Sequence, residues 1–535
     1  MFGREKASPM KNQCKLMTLA LAVLVGGAVS PVWADTASAP LTPAAAACKA
    51  LEGVDFSGVQ DAPSQIIEAS LVEAAGVVPT HCLAKGYISS HVGIELRMPV
   101  TNWNGKFLEV GCGGHCGSFF TQLCSGPLRK GYACIASDMG HKSLTTQAAW
   151  AYNNLQAQVD WGYRAAHVTA IAGKAITHEY YKRAPARSYF LGCSTGGREA
   201  LVESQRFPWD FDGIVGGAPV VSSEGWPMDF IWAIKALTGN DGKPVLTAAD
   251  AKLLHEAVVA KCDMDDGVKD GIISNPMACK FDPSVLQCKS DGQAGCLTSS
   301  KIEVVKKMYA GPPASIVDRV YTEGAIPGSE LNWVSDFLSY WSTSHYTADV
   351  FRYEGFWPAP GPSWNLSDFD LERDSKRIGM YASLMNANNP DLRKFAAVGG
   401  KLLVYFGWQD PSPPEATDYY ETVEKTMGGR ANTQNFFRLF MIPGMDHCSG
   451  GAGAFAVDYL SYMEAWVEKG QAPDKLVGAH INGLTWGESF GLPFPLDAST
   501  PIAFTRPFFP YPARAIYKGK GDPNDAANFV AVNSK

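Results

Sequence analysis

Ser188-Tyr189-Phe190-Leu191-Gly192-Cys193-Ser194-Thr195-Gly196 runs from an apolar stretch of strand character into a tight G-x-S-x-G turn, and a helical pattern over 197–205 follows it. That order is the physical signature of a nucleophile elbow: a strand-to-helix corner so sharp that a serine hydroxyl projects from it. Working outward, Lys106–Val110 and Tyr132–Ser137 read as short strands. Ala151–Tyr181 has helical periodicity starting near Asn153, and Gly213–Gly216 reads as a further strand. Strands alternating with helices from about Leu96 predict a doubly wound α/β sheet.

The rhythm breaks after Pro219. Asp-, Gly- and Pro-rich loops and six of the 14 tryptophans fill residues 221–388 before strand text resumes at Lys401–Phe406 and Phe436–Ile442. The expected organisation is a catalytic core of 35–220 and 389–535 carrying 221–388 as an inserted lid. Such an insertion would lie over the C-terminal ends of the strands, where ligands bind in these sheets. Residues 35–47 are Ala-, Thr-, Ser- and Pro-rich and read as a disordered lead-in.

A serine hydroxyl attacks poorly until a base takes its proton, and an imidazole base needs a carboxylate to hold its tautomer. The order Ser, acid, His on this type of sheet picks Ser194, Asp410 after the strand 401–406, and His447 after 436–442. Asp446 adjoins the base and Asp418 lies beyond a Pro-rich turn, so both are weaker third members. Backbone N–H groups of Thr195 and of Gly114, in Gly111-Cys112-Gly113-Gly114-His115-Cys116-Gly117, are the expected oxyanion donors. His115 reads as a core or surface histidine. Cys193 and Cys448 adjoin the serine and the histidine, and a bridge between them would tie nucleophile to base.

The first 34 residues resemble an export signal: Arg4, Lys6, Lys11 and Lys15, then an apolar run over 16–29, then Val32-Trp33-Ala34. A membrane anchor is the rival reading, though the apolar run is short for a span. Without this leader the chain carries 42 basic and 52 acidic residues, a formal charge of −10. That balance offers no basic footprint for nucleic acid. Twelve of the 13 cysteines remain, an even number that predicts disulfides in a secreted or periplasmic protein. Spacing suggests Cys262–Cys279, Cys288–Cys296 and Cys48–Cys82, and leaves three pairings open for Cys112, Cys116, Cys124 and Cys134. Cys262-Asp263-Met264-Asp265-Asp266-Gly267-Val268-Lys269-Asp270-Gly271-Ile272 sets four carboxylates among glycine turns, which reads either as a Ca²⁺ loop or as a solvated acidic turn.

Tyr189–Glu199, Phe211–Pro219 and His447-Cys448-Ser449-Gly450-Gly451 resemble the tannase and feruloyl esterase family, from about residue 45 to the C-terminus. That family includes tannases, feruloyl and chlorogenate esterases and terephthalate mono-ester hydrolase. The resemblance implies an α/β-hydrolase fold with a lid, the triad Ser194–Asp410–His447 and the supporting Cys193–Cys448 bridge. It also implies structural Ca²⁺ held by the side chains of Asp263, Asp266 and Asp270 and the carbonyls of Val268 and Ile272. The chain departs from the family pattern at Phe509 and Ala531, where relatives often carry paired cysteines. Cys112 and Cys116 are also not general to the family.

The expected activity is hydrolysis of small aromatic esters such as feruloyl, chlorogenate or galloyl esters by a secreted serine carboxylesterase. A mono(2-hydroxyethyl) terephthalate-type ester is the alternative, and a peptidase or a non-catalytic binding protein are rivals of other classes. No membrane partner is expected, and the sequence leaves the oligomeric state open. Trp333, Phe337, Trp341, Phe356 and Trp357 are candidate stacking surfaces for an acyl group, with lid core as the competing role. Arg352 is the candidate partner for a substrate carboxylate.

Overall fold

Continuous apolar runs flanked by turns form the centre of a nine-stranded sheet. The computed structural model describes residues 41–76, 78–290, 293–312, 324–335, 346–411, 413–484 and 500–533. The strands are β1 (Ser64–Val72), β2 (His81–Ile88), β3 (Val92–Pro99), β4 (Lys106–Val110), β5 (Ala133–Ser137), β6 (Arg187–Cys193), β7 (Gly213–Gly217), β8 (Lys401–Gly407) and β9 (Phe437–Ile442). Their spatial order is β1-β2-β3-β5-β4-β6-β7-β8-β9. Pairing is antiparallel from β1 through β3 to β5, and parallel from β5 onward. Every residue of β5, β7 and β9 is buried, as expected of strands covered on both faces. This is the α/β-hydrolase fold anticipated from the elbow.

Helices Ala165–Tyr181, Thr195–Arg206 and Tyr459–Lys469 are among those packing on the sheet. The expected helix from near Asn153 begins at Leu155, where the Asn154 side chain accepts from Ala157 N–H. It passes through a π-helical turn at Asp160–Arg164 before continuing. The three antiparallel strands β1–β3 extend the sheet well before Leu96. The lead-in reading of 35–47 is corrected at its end: Pro43–Lys49 is helical, capped by the Thr42 hydroxyl.

Between β7 and β8 no described residue joins the large sheet. Helices Gly225–Leu237, Ala248–Cys262 and Ser299–Ala310 and shorter turns occupy that interval, within one unit spanning Thr42–Lys535. Toward the C-terminus, Leu476–Ile481 pairs with Ile502–Phe508, and Ala513–Tyr517 with Phe529–Asn533. Ala531 lies opposite Ala515 in that last ladder.

Six disulfides join all twelve cysteines outside the expected leader. Cys48–Cys82, Cys193–Cys448, Cys262–Cys279 and Cys288–Cys296 pair as anticipated, and the open set resolves to Cys112–Cys116 and Cys124–Cys134. Disulfides at this density indicate an oxidising, non-cytoplasmic compartment. The leader at 1–34 lies outside the described residues. No helix among those residues is long and apolar enough to cross a membrane.

Candidate active site

Four parallel strands deliver the site from their C-terminal ends. β6 stops at Cys193, and Ser194 turns the chain with φ 63° and ψ −119°, a conformation rare outside glycine. The corner closes because its neighbours lack side chains. A Cβ on Gly192 would stand 2.6 Å from the Gly196 carbonyl oxygen, and one on Gly197 would stand 2.8 Å from Pro219 Cα. Asp410 follows β8, and His447 follows β9.

His447 Nε2 lies 2.8 Å from Ser194 Oγ, and its Nδ1 lies 2.6 Å from Asp410 Oδ2. With the proton on Nδ1, the ring donates to the carboxylate and presents a lone pair to the serine hydroxyl. Asp410 is buried, and its own N–H donates to Gly407 O at 3.2 Å. The structure thus brings together Ser194, Asp410 and His447. Of the three aspartates considered, Asp410 is the one that meets the Nδ1 of His447.

The loop after β4 runs beside the start of the serine helix. Thr195 Oγ1 donates to Gly114 O at 2.6 Å, and Gly196 N–H donates to Cys112 O at 2.8 Å. Gly114 adopts φ 61°, which frees the loop to bend there. Among the described residues the N–H groups of Gly114 and Thr195 make no hydrogen bond, so both remain available as donors. Beneath the loop, Glu199 accepts from Cys112 N–H at 3.4 Å. Burial, offset in part by Arg198 and that N–H, pushes the Glu199 carboxyl up to about 8.

Of the two roles expected for His115 the structure gives it the core one, fully buried. Its Nδ1 lies 3.0 Å from Glu354 Oε1, with both side chains fully buried, so the loop is tied to the inserted segment by an ion pair. Burial opposes the charged imidazole, but the facing Glu354, helped by the Tyr346 carbonyl and Asp349, raises the His115 pKa. The ring also lies 4.4 Å from that of Tyr346.

The pocket at Ser194 is walled by Ala218, Pro219 and Val220 after β7, by Phe406 and Pro411 around Asp410, by Glu415, and by Trp226, Phe230 and Tyr346. The rings of Trp226 and Tyr346 lie 5.2 Å apart. Sequence reasoning missed these last four residues. Trp226 and Phe230 are four apart on one helix, a spacing that reads equally well as core packing.

Two substrate-contact expectations are corrected. Trp333 is 0% exposed, packs its ring 5.3 Å from Tyr309 and donates Nε1–H to Ser329 Oγ, so it has no surface to offer a ligand. Arg352 donates to Trp364 O and to Asp349 Oδ1 and does not line the pocket. Phe356 is buried, and Trp357 is exposed but outside the pocket wall. Phe337 and Trp341 lie outside the described residues.

The acidic loop folds around its own carboxylates. Asp263 Oδ1 accepts from the N–H groups of Asp270 and Gly271, Asp266 Oδ1 from Val268, and Asp270 Oδ1 from Ile272. Asp270 Oδ2 also meets Arg506 at 2.6 Å, whereas Asp265 turns away to Arg514. Asp263 and Asp266 are buried, and burial with like charge from Asp270 and Asp263 lifts Asp266 to about 6, against the pull of Val268 N–H. Three carboxylates on a tight loop, with Arg506 facing Asp270 alone, offer the oxygen donors and net negative charge that a hard cation such as Ca²⁺ takes.

The family description "Tannase and feruloyl esterase" matches residues 77–532. Mono(2-hydroxyethyl) terephthalate hydrolase of Piscinibacter sakaiensis is 33% identical over 91% of this chain and 92% of that one. The crystal structure of feruloyl esterase B from Aspergillus oryzae has a TM-score of 0.78 at 27% identity, covering 91% of this chain and all of its own. That of an esterase from the same organism has a TM-score of 0.81 at 25% identity over the same shares. A serine, imidazole and carboxylate held in series on this fold are equipped for acyl transfer, and the chain belongs to the tannase and feruloyl esterase family of carboxylic ester hydrolases.

Proposed function

We propose that Ser194, His447 and Asp410 are the nucleophile, base and orienting acid of this aromatic ester hydrolase. The observation that carries the reading is the unbroken series from Ser194 Oγ through His447 to Asp410, at 2.8 and 2.6 Å. Ser194 Oγ attacks the ester carbonyl as its proton passes to His447 Nε2. Asp410 steadies the resulting imidazolium, and the N–H groups of Thr195 and Gly114 receive the oxyanion. Collapse of the adduct passes the proton from His447 to the departing alcohol. Water, deprotonated by His447, then releases the aromatic acid from Ser194.

Trp226, Phe230 and Tyr346 supply aromatic faces for the substrate ring, favouring hydroxycinnamoyl or galloyl esters. Residues 221–388 act as the lid that brings these three to the serine. The mature protein is secreted or periplasmic after loss of residues 1–34. Ca²⁺ on Asp263, Asp266 and Asp270 and the carbonyls of Val268 and Ile272 stiffens the inserted segment and takes no part in the chemistry. Ser194→Ala is expected to reduce kcat on methyl ferulate by at least about 10⁴-fold, on the scale of triad deletions elsewhere. It also abolishes labelling by a fluorophosphonate probe. Retention of more than a trace of turnover defeats the assignment.

A further inference from the structure

Among the described residues lining the pocket, one acidic side chain stands apart from Asp410, which is engaged with His447. Glu415 stands in the first turn of helix Pro413–Thr426, half-buried, and its Oε1 accepts the N–H of Ser222. That contact ties the carboxylate to the loop that supplies Pro219 and Val220 to the pocket wall. No Lys or Arg is among the described residues lining the pocket. Arg352, the basic side chain suggested by sequence for this purpose, is turned to Asp349 and Trp364.

These features bear on charge. An anionic group entering an apolar cleft loses its hydration and recovers it only if a cation or several donors meet it. Here it would meet Trp226, Phe230, Tyr346 and a like charge. A phenolic hydroxyl has the opposite fate, because it can donate a charge-assisted hydrogen bond to a carboxylate. We propose that Glu415 is a specificity-determining residue that selects uncharged, hydroxyl-bearing aromatic esters and rejects esters with a free carboxylate on the ring. The inference rests on the reading of this pocket as the ester site. It sets this chain apart from its terephthalate mono-ester relative in the sign of the charge it tolerates.

The test uses dimethyl terephthalate and monomethyl terephthalate, which share an acyl ring and differ in one negative charge, beside methyl ferulate. After correction for the two equivalent ester groups, the wild type is expected to favour the diester at least tenfold in kcat/KM, chiefly through KM. Glu415→Gln keeps an acceptor for Ser222 N–H. It should narrow that ratio at least threefold and lower kcat/KM on methyl ferulate, and Glu415→Arg should shift preference toward the mono-ester. Retained fluorophosphonate labelling shows that each variant is folded. A wild type that turns over the mono-ester within threefold of the diester overturns the proposal, as does a ratio unchanged in both variants. Hydrolysis of none of the three esters would instead overturn the reading of the site itself, and this inference with it.

Discussion

Cys193 and Cys448 stand 255 residues apart in sequence and 5.9 Å apart at their Cα atoms, each covalently next to one member of the Ser194–His447 pair. Ser194 and Cys448 both adopt positive φ, 63° and 70°. The bridge therefore joins two tightly turned corners, one at the end of β6 and one beyond β9, with β7 and β8 between them in the sheet. The 2.8 Å contact between hydroxyl and imidazole is held by strand register and by a covalent strut together.

Removing the strut as the double variant Cys193→Ser/Cys448→Ser should cost stability and geometry alike. Loop-closure entropy for so long a loop gives about 5 kcal/mol as a ceiling. Denaturant unfolding should show a clearly lower midpoint. Activity measured well below the transition should fall by about ten- to a hundredfold, as expected for a misplacement near 1 Å. An unchanged midpoint with full activity would assign the bridge no role.

Chelation probes the acidic loop. With EGTA the thermal midpoint should drop by at least about 3 °C and return on adding excess Ca²⁺, because a ligand bound by the native state alone stabilises it by mass action. Asp266→Asn should lose this response while keeping fluorophosphonate labelling at Ser194. Identical midpoints with and without EGTA would remove the metal from the account.

Glu199 gives stability a pH slope of predictable sign. Its carboxyl, ordinarily near 4.5, is pushed up to about 8, so between those values the folded chain holds a proton that the unfolded chain has released. Its contribution is complete below about pH 4.5 and is lost as pH rises through 8, at up to about 1.4 kcal/mol per pH unit. Asp229, lifted to about 7 by burial, acts in the same sense. Glu199→Gln should therefore flatten, without abolishing, the decline in urea midpoint from pH 5 to 8. A wild-type midpoint that rises over that interval contradicts the assignment.

The His115–Glu354 pair offers a double-mutant cycle. Glu354→Ala strips a fully buried histidine of its counter-charge, and breaking such a pair one-sidedly costs about 3–5 kcal/mol. His115→Phe combined with Glu354→Leu, which removes both polar ends, should recover much of that loss. Additive losses in urea unfolding would show that the two residues do not act together.

The elbow was legible because G-x-S-x-G between an apolar run and a helix has few other meanings. Asp410 and His447 were legible because each closely follows a strand that reads as mostly apolar. The strand β1 was hidden for the opposite reason. Ser64–Val72 is mostly exposed or half-exposed, and its register shifts between Ile66 and Glu68, so its alternation breaks in mid-strand. Choosing among the aromatics of the inserted segment was beyond reach, since Trp333 in the core and Trp226 at the pocket carry the same local pattern. Only tertiary contacts separate them.

Five of the six crosslinks join cysteines that are neighbours in the order of synthesis, outside the leader: 48 with 82, 112 with 116, 124 with 134, 262 with 279, 288 with 296. The sixth skips over two whole pairs. An oxidase that linked thiols strictly as they emerged would join Cys193 to Cys262 and leave the serine corner without its tie to Cys448. The native bridge therefore has to wait for the segment beyond β9, and until that segment is made Cys193 must stay unpaired or be released from a wrong partner.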